Sequence, residues 1–246
     1  MLIWIVMIFV LLALTVLMVG YPRMNFPRKP CDESMEDVRL VKAFDRISQW
    51  PGFEFIRRNI VRELKRIRPN GILVDAGCGP GYLIMRIAKE IPDLKIIGVD
   101  ISQGMIQRAS VNLSSLGLSD KAEFRKGDIK RMPFEDDTVD LIVSTFSLHH
   151  WSHPERSLSE IHRILKPKGK FLLFDFRRDS RRIFYWLLTF ASRTGPSGLR
   201  EANEPVSSFL SSYTVCEVKA LLSETQFIRW KIKPRLGWMY IWAFKG

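Results

Sequence analysis

Ile72-Leu73-Val74-Asp75-Ala76-Gly77-Cys78-Gly79-Pro80-Gly81 is the stretch that decides the fold. A short apolar run ends in an acidic residue, and glycine then occupies every second position. Helical periodicity starts at Tyr82 and stops at Pro92. Strand, glycine turn and helix in that order open a βαβ unit. The pattern repeats downstream. Lys95 to Val99 reads as a second strand and Gln103 to Leu116 as a helix ended by Gly117. Ala122 to Arg125 reads as a third strand and Val139 to Ser144 as a fourth. Pro154 to Leu165 reads as a helix, Lys170 to Phe174 as a fifth strand, and residues 227–233 and 237–244 as a closing hairpin. Strands alternating with helices predict an α/β fold with a doubly wound, mostly parallel sheet. Upstream, Glu36 to about Arg68 is helical in pattern. Ile56, Ile60, Leu64 and Ile67 share one face, and Arg57, Arg58, Arg62, Lys65, Arg66 and Arg68 lie opposite.

The chain has 246 residues, enough for one large globular domain. It is 46% hydrophobic and 26% charged, which excludes a disordered or collagen-like chain. Cys31, Cys78 and Cys216 are widely spaced and form neither a disulfide framework nor a zinc signature. The four histidines have no ligand spacing, so no metal is expected. A net charge of +12 draws the chain to anionic surfaces, either phospholipid headgroups or RNA.

Leu2 to Val19 carries no charge. As a helix it rises about 27 Å, close to the thickness of a bilayer's hydrocarbon core. No Lys or Arg precedes it, and Leu17-Met18-Val19-Gly20-Tyr21-Pro22 is a poor signal-peptidase site, so a retained anchor is expected. Arg23, Arg28 and Lys29 follow, which places the domain after them in the cytoplasm as a single-pass membrane protein. The expected organisation is a transmembrane anchor over 1–20, a linker over 21–35 and the globular domain over 36–246.

Ligands of open α/β sheets bind outside the carboxyl ends of the strands. After the first strand come Asp75, Gly77, Gly79 and Gly81, where backbone can approach a ligand closely. After the second comes Asp100, a carboxylate suited to a ribose diol. After the third comes Asp128, able to accept from an exocyclic amine, with Ile101 and Ile129 as apolar faces for a purine. The glycines do not fit the G-x-G-x-x-G spacing of nicotinamide enzymes, and no Gly-Lys-Ser/Thr phosphate loop is present. An acid beside the loop repels a pyrophosphate and suits a cationic or amino-bearing ligand.

These motifs, with Gly98-Val99-Asp100-Ile101-Ser102, Gly127-Asp128, Met132-Pro133-Phe134 and Leu165-Lys166-Pro167-Lys168-Gly169-Lys170, resemble the class I S-adenosylmethionine-dependent methyltransferases. The branch they look most like includes the ubiquinone/menaquinone-biosynthesis C-methyltransferases. The resemblance implies a seven-stranded Rossmann-like fold and S-adenosyl-L-methionine as cofactor. It implies that the glycine loop cradles the methionine part, with Asp75 near its amino group. Asp100 would hold the ribose hydroxyls and Asp128 with Ile129 the adenine, with Ile101 and Ser144 completing the cofactor site.

Methyl transfer from a sulfonium is an in-line displacement, aided by orientation and exclusion of water. A base is needed only where the acceptor loses a proton. His149, His150 and Asp175, after the fourth and fifth strands, are the candidates. Arg177-Arg178-Asp179-Ser180-Arg181-Arg182 precedes Ile183-Phe184-Tyr185-Trp186-Leu187-Leu188-Thr189-Phe190, an order that fits an interfacial helix with cationic anchors. With the anchor through residues 2–19, this points to a small lipophilic acceptor taken at the membrane surface: a quinone, an isoprenoid or a phospholipid. DNA is not an expected partner. RNA methylation is the alternative enzyme reading, and a non-catalytic membrane-tethered binding protein is the other alternative.

Overall fold

The computed structural model describes residues 2–20, 23, 26–30, 38–195, 200 and 203–246. Ile72–Ala76 is β1, at the centre of the sheet. Its side chains alternate between faces, as extended backbone requires. Leu73 packs with the helices of one face and Val74 with those of the other. The remaining strands are β2 (Lys95–Asp100), β3 (Ala122–Lys126), β4 (Val139–Thr145), β5 (Leu165–Phe176), β6 (Arg229–Pro234) and β7 (Trp238–Phe244). They form one seven-stranded sheet in the order β3-β2-β1-β4-β5-β7-β6. β1 to β5 are parallel, and β7 runs antiparallel to both β5 and β6. The expected doubly wound sheet and closing hairpin are therefore present. The strand order reverses between β1 and β4, where the carboxyl ends open a crevice.

The helices are α1 (Leu2–Gly20), α2 (Val38–Ser48), α3 (Pro51–Lys65), α4 (Tyr82–Glu90), α5 (Gln103–Ser114), α6 (Pro154–Ile164), α7 (Arg182–Thr194), α8 (Val206–Ser211) and α9 (Val215–Ser223). Ile60 and Leu64 of α3, Ile84 and Ile87 of α4 and Leu113 of α5 pack on one face of the sheet. Leu158 and Ile161 of α6 and Val218 and Leu222 of α9 cover the other.

Four features differ from the sequence reading. The helical pattern expected over 36–68 is two helices. Pro51 holds the first turn of α3, and Trp50 before it is extended, as the residue preceding proline prefers. Two helices, α8 and α9, lie where no element was read. A Thr214–Glu217 capping box, three residues apart, starts α9 and is its sequence signal. The expected linker is in part a docked strap. Residues 21, 22, 24, 25 and 31–35 lie outside the described residues, but 26–30 lies on the domain. Arg28 Nε donates to the Ser211 carbonyl at 2.7 Å, and its guanidinium sits 4.1 Å from the centre of the Tyr213 ring. Arg178 Nε donates to the Phe26 carbonyl at 2.7 Å.

The last difference concerns the membrane. Leu2–Gly20 is helical, and its described side chains, Ile3 to Val16, are exposed and almost all apolar. Among the described residues no helix is long and apolar enough to cross a membrane. The expected transmembrane span, and with it the single-pass location, is not supported.

Candidate active site

A cavity of about 370 Å³ opens at the carboxyl ends of the parallel strands. Ala76 to Pro80 form one wall, Asp100 and Ile101 a second, and Gly127 to Lys130 a third. Phe44 and Ile47 of α2 and Phe53 and Ile56 of α3 lie across from them, with Phe146, Ser147, His150 and Trp151 after β4. Gly77, Gly79, Asp100, Ile101, Asp128 and Ile129 thus meet at one cavity, whereas Asp75, Gly81 and Ser144 do not line it.

The glycine loop is held by backbone and carboxylate together. The N–H groups of Gly77 and Cys78 both donate to the Val99 carbonyl, at 2.8 and 3.0 Å. Gly79 N–H donates to Asp100 Oδ2 at 2.8 Å, and Ser102 N–H to Oδ1 at 2.9 Å. Gly77 and Gly81 both have φ of +81°, a left-handed conformation that side chains other than hydrogen strain. A Cβ on Gly81 would also lie 3.0 Å from the Ala109 Cβ, whereas one on Gly79 would meet open space. Ser144 is buried and donates to the Ala76 carbonyl, so it braces the end of β1 behind the wall.

The acidic residues differ in environment. Asp75 is 1% exposed, and neither carboxylate oxygen has a hydrogen-bond partner among the described residues. Burial, reinforced by the charge of Asp100, pushes its pKa up to about 8. Burial also raises Asp100, although the N–H groups of Ser102, Gly79 and Ile101 oppose it. Asp128 is half-buried on the cavity wall, and its Oδ1 accepts from Lys130 N–H at 2.9 Å. Ile129 lies beside it, and Ile101 stands at the rim, 56% exposed. Burial pushes the Cys78 thiol well up, which keeps it protonated and no nucleophile.

The three candidate bases separate. His149 and Asp175 form a buried pair, with Nδ1 and Oδ1 2.8 Å apart. Asp175 also accepts from the N–H groups of His149 at 3.1 Å and Phe176 at 2.7 Å. Neither lines the cavity; the pair ties the loop after β4 to the end of β5. His150 does line it. Burial and the neighbouring His149 push the His150 pKa down to about 3. Its imidazole is therefore neutral at physiological pH.

Residues 74–173 match the family described as methyltransferase domain. The chain is 32% identical over 169 residues to a demethylmenaquinone methyltransferase of Symbiobacterium thermophilum, covering 66% of this chain and 66% of that protein. It is 26% identical over 149 residues to the 2-phytyl-1,4-naphtoquinone methyltransferase of a Nostoc species, covering 59% and 65%. A solved structure of a candidate S-adenosylmethionine-dependent methyltransferase from Methanococcus maripaludis superposes with a TM-score of 0.67 at 25% identity, over 88% of this chain and 97% of that one. The chain is a class I S-adenosylmethionine-dependent methyltransferase. It spans less than two thirds of the length of several curated relatives: 34% of a Caenorhabditis elegans sterol 4-C-methyltransferase and 19% of the biotin biosynthesis bifunctional protein BioHC of Teredinibacter turnerae.

The methyltransferase's residues fit its cofactor. Gly79 leaves open space where a side chain would intrude. The Asp100 oxygens accept from the Gly79 and Ser102 N–H groups and retain lone pairs for a ligand. The buried, unpartnered carboxylate of Asp75 suits an electropositive neighbour. Missing from the sequence reading were Phe44, Phe53, Phe146, Trp151 and Arg57 of the cavity wall. Arg57, read as part of a solvated basic face, is buried; it donates to the Ser48 carbonyl at 2.7 Å and pairs with Glu54. Phe44 on α2 and Phe53 and Arg57 on α3 lie outside the βαβ pattern, so no local motif marks them.

Proposed function

We propose that the methyltransferase transfers the methyl group of S-adenosyl-L-methionine to a small lipophilic acceptor, a quinone, isoprenoid or phospholipid, at a membrane surface. The observation that carries this is the cavity wall opposite the glycine loop. Phe44, Ile47, Phe53, Ile56, Phe146 and Trp151 present rings and branched chains there. Such a wall binds an apolar acceptor and excludes water from the displacement. The named quinone methyltransferases among the relatives favour a quinone within that class. The exposed apolar α1 serves as the attachment to the membrane.

In this reading the loop Gly77 to Gly81 holds the methionine part of the cofactor, with Asp75 close to its amino group. Asp100 accepts from the ribose hydroxyls. Asp128, Ile129 and Ile101 hold the adenine, and Ser144 keeps the end of β1 in place. The cofactor supplies the electrophilic methyl. His150, on the cavity wall and neutral, orients a polar group of the acceptor. His149 and Asp175 act through it by fixing the loop.

The test uses full-length protein in native membranes with methyl-labelled S-adenosylmethionine and an Asp100→Ala control. Label is expected in the organic-solvent extract and absent from the control. Label confined to RNA or protein overturns the lipophilic acceptor.

A further inference from the structure

α7 is amphipathic in an unusual sense: its exposed stripe is largely apolar. Its inward side is anchored by Phe184, whose ring lies 5.8 Å from Phe209 of α8 and 6.2 Å from Phe176 at the end of β5. On the outward side Trp186, Leu187 and Phe190 are 61%, 52% and 69% exposed. Spacings of one, three and four residues put them on one stripe of the helix. Arg182 and Arg193, both exposed, bracket that stripe at its two ends. Of the basic run before the helix, Arg177 and Arg178 are not anchors at all. Both are buried, Arg177 on Asp179 at 2.8 Å and Arg178 on Glu217 at 2.7 Å. The surface cations are those on α7 itself.

The start of α7 is tied to the chain just after α1. Arg23, shortly after α1, forms an antiparallel backbone bridge with Arg181, the residue before α7. Phe26 then packs on Tyr185 of α7 with ring centres 5.5 Å apart. α1 ends three residues before this bridge and α7 begins one residue after it. An aromatic stripe closed at both ends by arginines suits the boundary between acyl chains and anionic headgroups. The inward face of the same helix connects through Phe184, Phe176 and Phe146, at 6.2 and 5.0 Å, to the cavity wall.

We infer that the outer face of α7, Trp186, Leu187 and Phe190 between Arg182 and Arg193, is a docking surface for an anionic lipid bilayer. It rests on the membrane-surface reading of the acceptor site and assigns that contact to named residues. The helix lies in the plane of the interface, its stripe among the acyl chains and its arginines on lipid phosphates. Docking there sets the cavity beside the lipid from which an apolar acceptor leaves.

A spin label tests it in the full chain. With Cys31→Ser and Cys216→Ser in the background, the label is placed by Phe190→Cys or, as a control, by Val111→Cys on α5, where Val111 is 57% exposed. The protein is reconstituted in discs of phosphatidylcholine with an equal part of phosphatidylglycerol. Collision with oxygen, concentrated in lipid, is compared with collision with a water-soluble nickel chelate. The expected result is oxygen dominating at position 190 and nickel at position 111. Nickel dominating at both positions overturns the inference. So does a label at 190 shielded from both and broadened by a second label, which marks a contact between two copies of the chain. A solvent-extractable methylated product with a water-facing 190 would break the docking surface and leave the proposed function standing. A lipid-facing 190 with label only in RNA or protein would do the reverse.

Discussion

The two ends of the cavity are built differently. The end where we place the cofactor is made of backbone: a glycine loop hung from the Val99 carbonyl and from Asp100, with Ser144 behind it. Its groups follow β1, β2 and β3 and are local to the strands that carry them. The other end is made of rings. Phe53 meets Phe146 at 5.6 Å, and Phe146 meets Phe174 and Phe176 at 5.0 Å each. Phe146 holds this position with φ of +53°, a conformation that costs a bulky residue about 1–3 kcal/mol and recurs at functional sites. Directional hydrogen bonds suit a ligand of fixed shape. Packed rings suit an apolar ligand, and they can change without disturbing the strands.

If that contrast holds, substitutions at one end leave the other intact. The largest expected effect is the pH dependence carried by Asp75. Its folded pKa of about 8 lies above the ordinary aspartate value. The unfolded chain then binds fewer protons between the two values. The Asp75 contribution to stability without cofactor is full below about pH 4 and is lost as pH rises through about 8. Thermal unfolding across that window should show the decline, and Asp75→Asn should flatten it. A decline of the same size in the variant would assign it to another group.

Next comes the brace under the ring-built end. Asp175→Ala leaves His149 and the Phe176 N–H without their acceptor, and should cost about 3 kcal/mol in denaturant unfolding. Cofactor affinity at temperatures where the variant is folded should stay near that of the parent. A large loss of affinity would show that the two ends are coupled.

Asp100→Ala should weaken S-adenosylmethionine binding by about 1–3 kcal/mol, measured calorimetrically. Unchanged affinity in a folded variant would mean the ribose lies elsewhere. The smallest effect is expected at Phe53→Ala. Losing its edge-on contact with Phe146 should cost about 0.5–1.5 kcal/mol, seen as a higher KM for the acceptor at unchanged cofactor affinity. A fall in cofactor affinity instead would erase the division between the ends.

The parallel sheet, its hairpin, the glycine loop and the carboxylates after β2 and β3 were legible from Ile72 onward. Each is encoded by neighbours in the chain: apolar alternation sets a strand, and glycine sets a turn. The packing of Phe53 on Phe146, the withdrawal of His149 and Asp175 into a buried pair, and the docking of residues 26–30 were not legible. Each joins segments far apart in sequence, and no periodicity records a long-range contact. The histidine pair shows the difference most plainly. His149 and His150 are adjacent and chemically identical in the sequence. Only the hydrogen bond to Asp175, 26 residues on, sends one behind the wall, while the other stays at the cavity. Local residue order determined which backbone lines the site. Tertiary packing decided which side chains reach it, because burial and hydrogen-bond partners exist only once the layers close.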